Sequence, residues 1–523
     1  MVLKNIVRKN TYQDSVFLMS IANRVKSLEG IEEVSCLMGT PENKKLLAEV
    51  NLLTGEGKKA EPNDLLIAIS AKDEKSIGEA LREVEKLLAK KEIRGEEREV
   101  FLSRSLDSAL DQLPGANLVH ISIPGRYVRW EAEKALERGL NLFIFSDNVS
   151  VEDELELKKI AQKKNLLAMG PDCGTAIING VALGFANVVR RGDIGIVAAA
   201  GTGLQEVSVL IHKAGLGISQ GIGTGGRDLS KEIGGITMPQ GIRALENDPD
   251  TRIIVLISKP PAKEVADRII KEVKRSKKPF VINFLGSKPR TKTLVQGKPG
   301  KETKKIYFAF TLEEAAHKAV ALSKKKVYKP KVFSEKKEKI IYLAKKESSK
   351  FKDKQKYIRG LFSGGTLCDE AMLILKDLIG DIYSNIPLKP PLKLKDSKVS
   401  QKNSLVDLGD DEFTKGRPHP MIDFTLRNER IIQEAKSPET AVILLDIVLG
   451  YGAHPYPANA LAPAIEEAKE RNVSVVASLC GTEDDPQDYG KQKRELDKMG
   501  VIIMPSNAQA ARFAALVIRR GKT

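Results

Sequence analysis

Residues 193–214 read DIGIVAAAGTGLQEVSVLIHKA. The first half is an apolar run of strand length. In the second, apolar residues recur every three or four positions, the period of a helix with one buried face. The two halves join through Gly201, Thr202 and Gly203. Residues 360–375, GLFSGGTLCDEAMLIL, repeat the device through Ser363, Gly364, Gly365 and Thr366. A strand that enters a helix through a small-residue turn, followed by further strands and helices in alternation, predicts a parallel sheet with helices on its faces.

Working outward, 191–323 continues the alternation through GISQGIGTGG, RIIVLIS and PFVINFLG, and 357–523 continues it through NSLVDLG, TAVILLDIVLG, VSVVASLCG and GVIIMPS. A third unit of the same kind spans 96–190, with strands NLVHISIP, NLFIFS and LLAMGP. Residues 1–95 alternate strand and helix periods on a smaller scale and predict a small α+β domain, joined to the rest by the charged connector KKEIRGEERE. The fold class is therefore α/β, with a small N-terminal α+β domain followed by three Rossmann- or flavodoxin-like parallel-sheet units. Residues 324–356 are lysine-rich and read as a linker.

Length agrees, since 523 residues exceed one hydrophobic core and suggest three or four units. The net charge of +16 is local. Between Ser287 and Arg359 lie 23 of the 85 Lys and Arg but 7 of the 69 Asp and Glu, which accounts for the whole excess. Within it, 324–356 reads as a solvated linker, with a polyanion-binding or subunit-docking arm as the sharper alternative. No nucleic acid is expected as a partner. No run approaches ~20 apolar residues, so no membrane span is expected. The start, MVLKNIVRKNTYQDSVF, places charges where a signal peptide needs an apolar run, and a cytoplasmic location is expected. Cys36, Cys173, Cys368 and Cys480 show no spacing of a disulfide framework or zinc site, so no metal is expected.

The chemistry is expected at the two turns. Glycines let a ligand approach the backbone closely, and the first amides of each helix have no intrahelical partner. A phosphate or carboxylate is the natural guest, with Thr202, Ser363 and Thr366 adding hydroxyl donors. The alternative is a tight connection and nothing more. No GK[ST] follows either turn, and neither is a GxGxxG fingerprint with its acidic residue, so no nucleotide site is implied. Other loops fall where parallel strands end: GPDCGT (170–175), GIGTGGRDL (221–229), SKPP (258–261), DLGDDEF (407–413), KGRPHP (415–420) and GYGAHP (450–455). Arg227, Lys259 and Arg417 are candidate cations for an anionic substrate, or surface charges. His419 and His454 each precede a proline and are positioned imidazoles or ordinary loop residues. Cys173 is a nucleophile near a helix start or a small buried filler, and Asp172 beside it offers a carboxylate.

Taken together, GPDCGTAIINGVALG, GDIGIVAAAGTG, GIGTGGRDL and NDPDTRIIVLISKPPA resemble the alpha subunit of succinyl-CoA synthetase. SGGTLCDEAM, DLGDDEF, DIVLGYGAHP and LCGTEDD resemble the carboxy-terminal domain of its beta subunit. From YQDSVFLM and MGTPENKKLL to GRPHPMID nearly the whole chain resembles the FdrA family of acyl-CoA-synthetase-like proteins. The resemblance implies that 96–190 is CoA-binding-like, and that 191–323 and 357–523 are ligase-like domains. It also implies that phosphate is held between Gly201–Gly203 and Ser363–Thr366, with the loop holding Asp172 and Cys173 beside it. The chain departs from the synthetases in three ways. It has no histidine between His212 and His317, hence no phosphohistidine; Lys259 stands where a glutamate is expected; and the early glycine-rich turn of a CoA domain is missing. No cofactor is firmly implied, and CoA stays open. The activity expected from the FdrA resemblance is oxamate carbamoyltransfer, with Lys259 and His419 catalytic, Arg227, Arg417, Asp172 and Cys173 binding substrate, and other subunits or a second copy as partners. An acid–CoA ligase with a separate nucleotide-binding subunit is the second expectation, and a non-catalytic scaffold or metabolite sensor the third.

Overall fold

The structure, a computed structural model, describes residues 2–13, 15–26, 28, 30–95, 103, 105–287, 306–414 and 417–522. It divides into two compact units, Met1–Leu113 and Pro114–Thr523. In the first, strands Val2–Arg8 and Ile31–Met38 flank the later strand Leu65–Ala71, antiparallel on both sides. Alternation along Leu65–Ala71 sends Ile67 and Ile69 to one apolar layer and Leu66 and Ala68 to another. The unit ends beyond residue 95 and takes in helix Leu106–Gln112. The connector expected at 90–99 begins as the end of helix Glu74–Gly95, and 96–99 fall outside the described residues.

Among the described residues the second unit contains three sheets. Leu118–Ile121, Asn141–Ile144 and Ala168–Met169 form a small parallel one. The largest runs Ile306–Phe308, Phe280–Phe284, Ile253–Ser258, Arg191–Ala199, Ile218–Gly223, Thr175–Ile178, Val181–Gly184. Its first five strands are parallel, and the last two form an antiparallel hairpin on its edge. That hairpin corrects the boundary expected at 190, because its ladder bonds lie with the following sheet. The third sheet, wholly parallel, runs Ser404–Asp407, Tyr357–Phe362, Thr440–Val448, Ser474–Cys480, Ile502–Met504. Strands Ile253–Ser258 and Thr440–Val448 are buried along their whole length, as sheets covered on both faces require.

One apolar core joins the two larger sheets. Leu204 and Val207 of helix Gly201–Lys213, Leu367 and Met372 of helix Gly365–Ile379, and Phe513 and Ala514 of helix Asn507–Ile518 all belong to it. The lysine-rich stretch 324–356 is not the plain solvated linker the charge run suggests. It forms helix Lys337–Ser348, which buries Ile340 and Ala344 in this core while its lysines face outward. Among the described residues no helix is long and apolar enough to cross a membrane, and no cluster of His, Cys, Asp or Glu could hold a metal ion.

Candidate active site

In both large sheets the strand order reverses around the strand that precedes a glycine turn. Arg191–Ala199 lies between Ile218–Gly223 and Ile253–Ser258, and Tyr357–Phe362 lies between Ser404–Asp407 and Thr440–Val448. Such reversal points open a crevice at the carboxyl ends of the strands. Here the two crevices face each other. A Cβ added to Gly364 would lie 2.7 Å from Thr202 Cγ2, and one added to Gly203 would lie 3.1 Å from Thr366 Cγ2. The starts of the two helices therefore touch. Asn507 fixes their relation: its amide donates to Glu206 on one helix (3.0 Å), and its side chain donates to Glu370 on the other (2.7 Å). The backbone amides of Gly201, Thr202, Gly203, Gly365 and Thr366 have no acceptor among the described residues. Two positive dipole ends meet at one point.

Lys259, at the end of strand Ile253–Ser258, reaches the same point. A Cβ on Gly365 would stand 2.7 Å from Lys259 Nζ and closer still to Asp407 Oδ2, so only glycine leaves this space open. Among the described residues the ammonium makes no hydrogen bond or ion pair. Burial works against its charge, but Asp369, Asp407 and Asp172 outweigh it and raise its pKa. Asp407 and Asp369 are 3% and 7% exposed. Burial lifts Asp407 to about 7 against the opposing pull of Lys259, and lifts Asp369 to about 6 against the same pull. The folded value of Asp407 thus exceeds its unfolded value of about 4. Ionisation therefore opposes folding, by an amount that is absent below pH ~4 and grows until pH passes ~7. Asp407→Asn is expected to raise Tm at pH 8 and to leave it unchanged near pH 4. An equal change at both, read by calorimetry, would contradict this account.

The other expected residues divide. Ser363 and Gly364 belong to the turn but not to its open face: the Ser363 amide and hydroxyl and the Gly364 amide all donate to Asp446 (2.8, 3.0 and 2.8 Å). Buried Arg427 holds Asp446 from the other side at 2.8 Å. The sequence offers Asp446 as a carboxylate without a diagnostic spacing, and Arg427 was not expected. Arg227 donates to Glu154 (2.9 Å) and to the Val149 carbonyl (2.7 Å), and Glu154 is paired in turn with the fully buried Lys158. One of its nitrogens, Nη1, stays uncommitted among the described residues. Asp172 lines the open side of the cleft, where crowding by protein raises its pKa, Lys259 lowers it, and Asp411 and Asp147 raise it further. Cys173 is buried and its thiol is pushed up to about 12, which removes it as a nucleophile and supports the filler alternative. Arg417 is exposed. Lys415 and Gly416 of the same loop lie outside the described residues, as does 288–305, a part of the stretch without histidine between His212 and His317.

His419 is brought close. A Cβ on Gly409 would lie 2.9 Å from His419 Nε2 and 3.2 Å from Asp407 Oδ1. Burial pushes its pKa down to about 4, so the ring is neutral at pH 7. Nδ1 accepts the Met421 amide at 3.2 Å, which assigns the proton to Nε2. The imidazole therefore faces the cleft as a donor. His454 packs at a tilt against Phe424, and its Nδ1 accepts the Tyr456 amide at 3.0 Å.

With this geometry in view, three family models match the chain: a CoA-ligase domain over 361–517, a CoA binding domain over 189–286, and the heavy metal-associated domain of AllF over 1–100. The CoA binding match lies later in the chain than 96–190, where that character was expected. The protein YahF of Escherichia coli (strain K12) is 44% identical over 528 residues, covering 100% of both chains. The alpha subunit of ADP-forming succinate–CoA ligase from Aquifex aeolicus is 30% identical over 168 residues, 30% of this chain and 54% of that subunit. The chain thus spans about half the length of that ligase subunit. Among solved structures, ATP citrate lyase from Methanothrix soehngenii, in complex with citrate and coenzyme A, aligns with TM-score 0.35 and 19% identity over 44% of this chain and 42% of that one.

Proposed function

This chain belongs to the FdrA-like family of acyl-CoA synthetase-like proteins, and from that premise we propose that it is the phosphate-handling component of an oxamate carbamoyltransferase. The reaction interconverts oxalurate plus phosphate with oxamate plus carbamoyl phosphate. The observation that carries this reading is the meeting of two helix starts at Lys259, an ammonium without an ion-pair partner among the described residues. A dianion seated there accepts from the amides of Gly201, Thr202, Gly203, Gly365 and Thr366. Lys259 offsets charge on the oxygen that joins the carbamoyl carbon. Donors preorganised in this way contribute ~3 kcal/mol each.

The balance is simple. A phosphate oxygen bonds to the carbamoyl carbon, the bond from that carbon to the oxamate nitrogen breaks, and the phosphate proton ends on that nitrogen. The Nε2 proton of His419 and the carboxyl of Asp407 stand near the path of that proton. Arg227, through Nη1, is the candidate for the substrate carboxylate, with Arg417 as the alternative. Partner subunits complete the assembly in this proposal.

The second reading, an acid–CoA ligase working with a nucleotide-binding subunit, is favoured by the CoA-ligase and CoA binding matches. CoA does not fit the first strand-to-helix turn of 114–190. Gly125 there is tucked beneath the Asp147 and Asn148 carbonyl oxygens, acceptors where a diphosphate needs donors. A ligand that binds the native state alone raises its melting point by mass action. Phosphate, carbamoyl phosphate and oxamate are therefore each expected to raise Tm, while CoA and ATP leave it unchanged. Stabilisation by CoA or ATP with phosphate inert would hand the site to the second reading.

A further inference from the structure

The cleft pairs its cation with two buried carboxylates, an odd choice for a site that holds only phosphate. Asp407 is anchored on one side, since its Oδ1 accepts the Gly409 amide at 2.9 Å. Its Oδ2 points to the open space over Gly365, beside Lys259 Nζ, and has no donor among the described residues. Asp369 lies four residues after Gly365 on the same helix, hence on the same face one turn further along. It too has no hydrogen-bond partner among the described residues, and it acts on Lys259 through space. A guest that seals the cleft takes both carboxylates out of water, a costly step unless the guest brings donors of its own. Dianionic phosphate supplies a single O–H and otherwise turns negative oxygens toward the two carboxylates. An acetyl group supplies no donor. A planar –C(=O)NH2 group supplies two N–H donors on one side and a carbonyl acceptor on the other, which matches two carboxylates beside an ammonium.

We propose that Asp407 and Asp369 are the specificity-determining residues of the cleft, accepting the two N–H bonds of a carbamoyl group whose carbonyl oxygen takes a hydrogen bond from Lys259, so that the protein selects carbamoyl over acetyl phosphate. The proposal rests on the reading of the cleft as a site for phosphate and an acyl phosphate. Specificity of this form is steep, because a guest without the N–H bonds leaves buried acceptors unpaired.

The test measures dissociation constants of inorganic phosphate, carbamoyl phosphate and acetyl phosphate for the full chain by calorimetry, in wild type, Asp407→Asn and Asp369→Asn. Wild type is expected to prefer carbamoyl over acetyl phosphate by at least ~100-fold. Each substitution is expected to cut that preference about tenfold, through weaker carbamoyl phosphate binding, while phosphate binds as well as before or better. Equal affinity of wild type for the two acyl phosphates overturns the proposal without need of any variant. So does a preference that survives both substitutions. If wild type binds none of the three, the phosphate reading itself has failed; if it binds phosphate but does not discriminate, only this proposal has.

Discussion

Replacing Lys259 by methionine is expected to weaken phosphate binding on the order of 100-fold, because a charge-assisted hydrogen bond in a site shielded from water is worth about 2 to 3 kcal/mol. The side chain is kept in length and apolar volume, so the strand Ile253–Ser258 and its neighbours retain their packing. What changes is the charge. Asp369 and Asp407 then face the anion without their counter-ion, and repulsion adds to the lost contact. Turnover in the assembled complex falls further than binding does, by ~100- to 1000-fold, if Lys259 meets charge that grows as the carbamoyl carbon is attacked. A surface lysine serves as the control: Lys493 pairs with Asp497 on an outer helix, and Lys493→Ala should alter neither quantity. Phosphate affinity unchanged in the methionine variant would show that the helix starts alone hold the anion, or that none binds there.

What the sequence shows of this site follows from what is local. Apolar runs such as IIVLIS and TAVILLDIV mark strands buried on both faces, and glycines at their ends mark the turns into helices. The convergence of two turns some 160 positions apart is not local, and it became legible only through the family resemblance. Where side chains are committed across the fold, spacing is silent. Arg227 looks like a substrate cation because it follows GTGG, yet its guanidinium is shared with Glu154, 73 residues earlier. Ser363 looks like a hydroxyl donor to phosphate, yet its amide and hydroxyl turn inward to a residue 83 positions away. The lysine-rich stretch hides a helix because two apolar positions, Ile340 and Ala344, suffice to seat it. Asp407 and Asp369 carry the faintest signal. A carboxylate is an ordinary surface residue until burial without a donor makes it a demand on the ligand. Asp446 left a clearer trace, as the one charge inside the run AVILLDIVLG.

That trace marks the largest stability effect to be expected. Asp446 and Arg427 are both fully buried, and the guanidinium bridges Asp446 Oδ1 (2.8 Å) and the Leu361 carbonyl (2.8 Å). Arg427 already has two buried nitrogens, Nε and Nη1, without hydrogen-bond partners. Asp446→Ala would leave an uncompensated charge in the core, a loss of about 3 to 5 kcal/mol by comparison with other broken buried pairs. It would also free the Ser363 and Gly364 amides that the carboxylate now draws away from the cleft, so the turn before Gly365 loses its fixed shape and phosphate affinity falls with stability. The two effects separate in the double variant Asp446→Leu with Arg427→Leu. Removing both charges restores most of the stability, since apolar replacement of a buried pair is often neutral or better. It does not restore the anchor of the turn, so phosphate binding stays weak. Tm recovery without recovery of binding is the expected pattern in the double variant. Full recovery of both would mean that the Asp446 carboxylate shapes the core alone and that the turn holds its form without it.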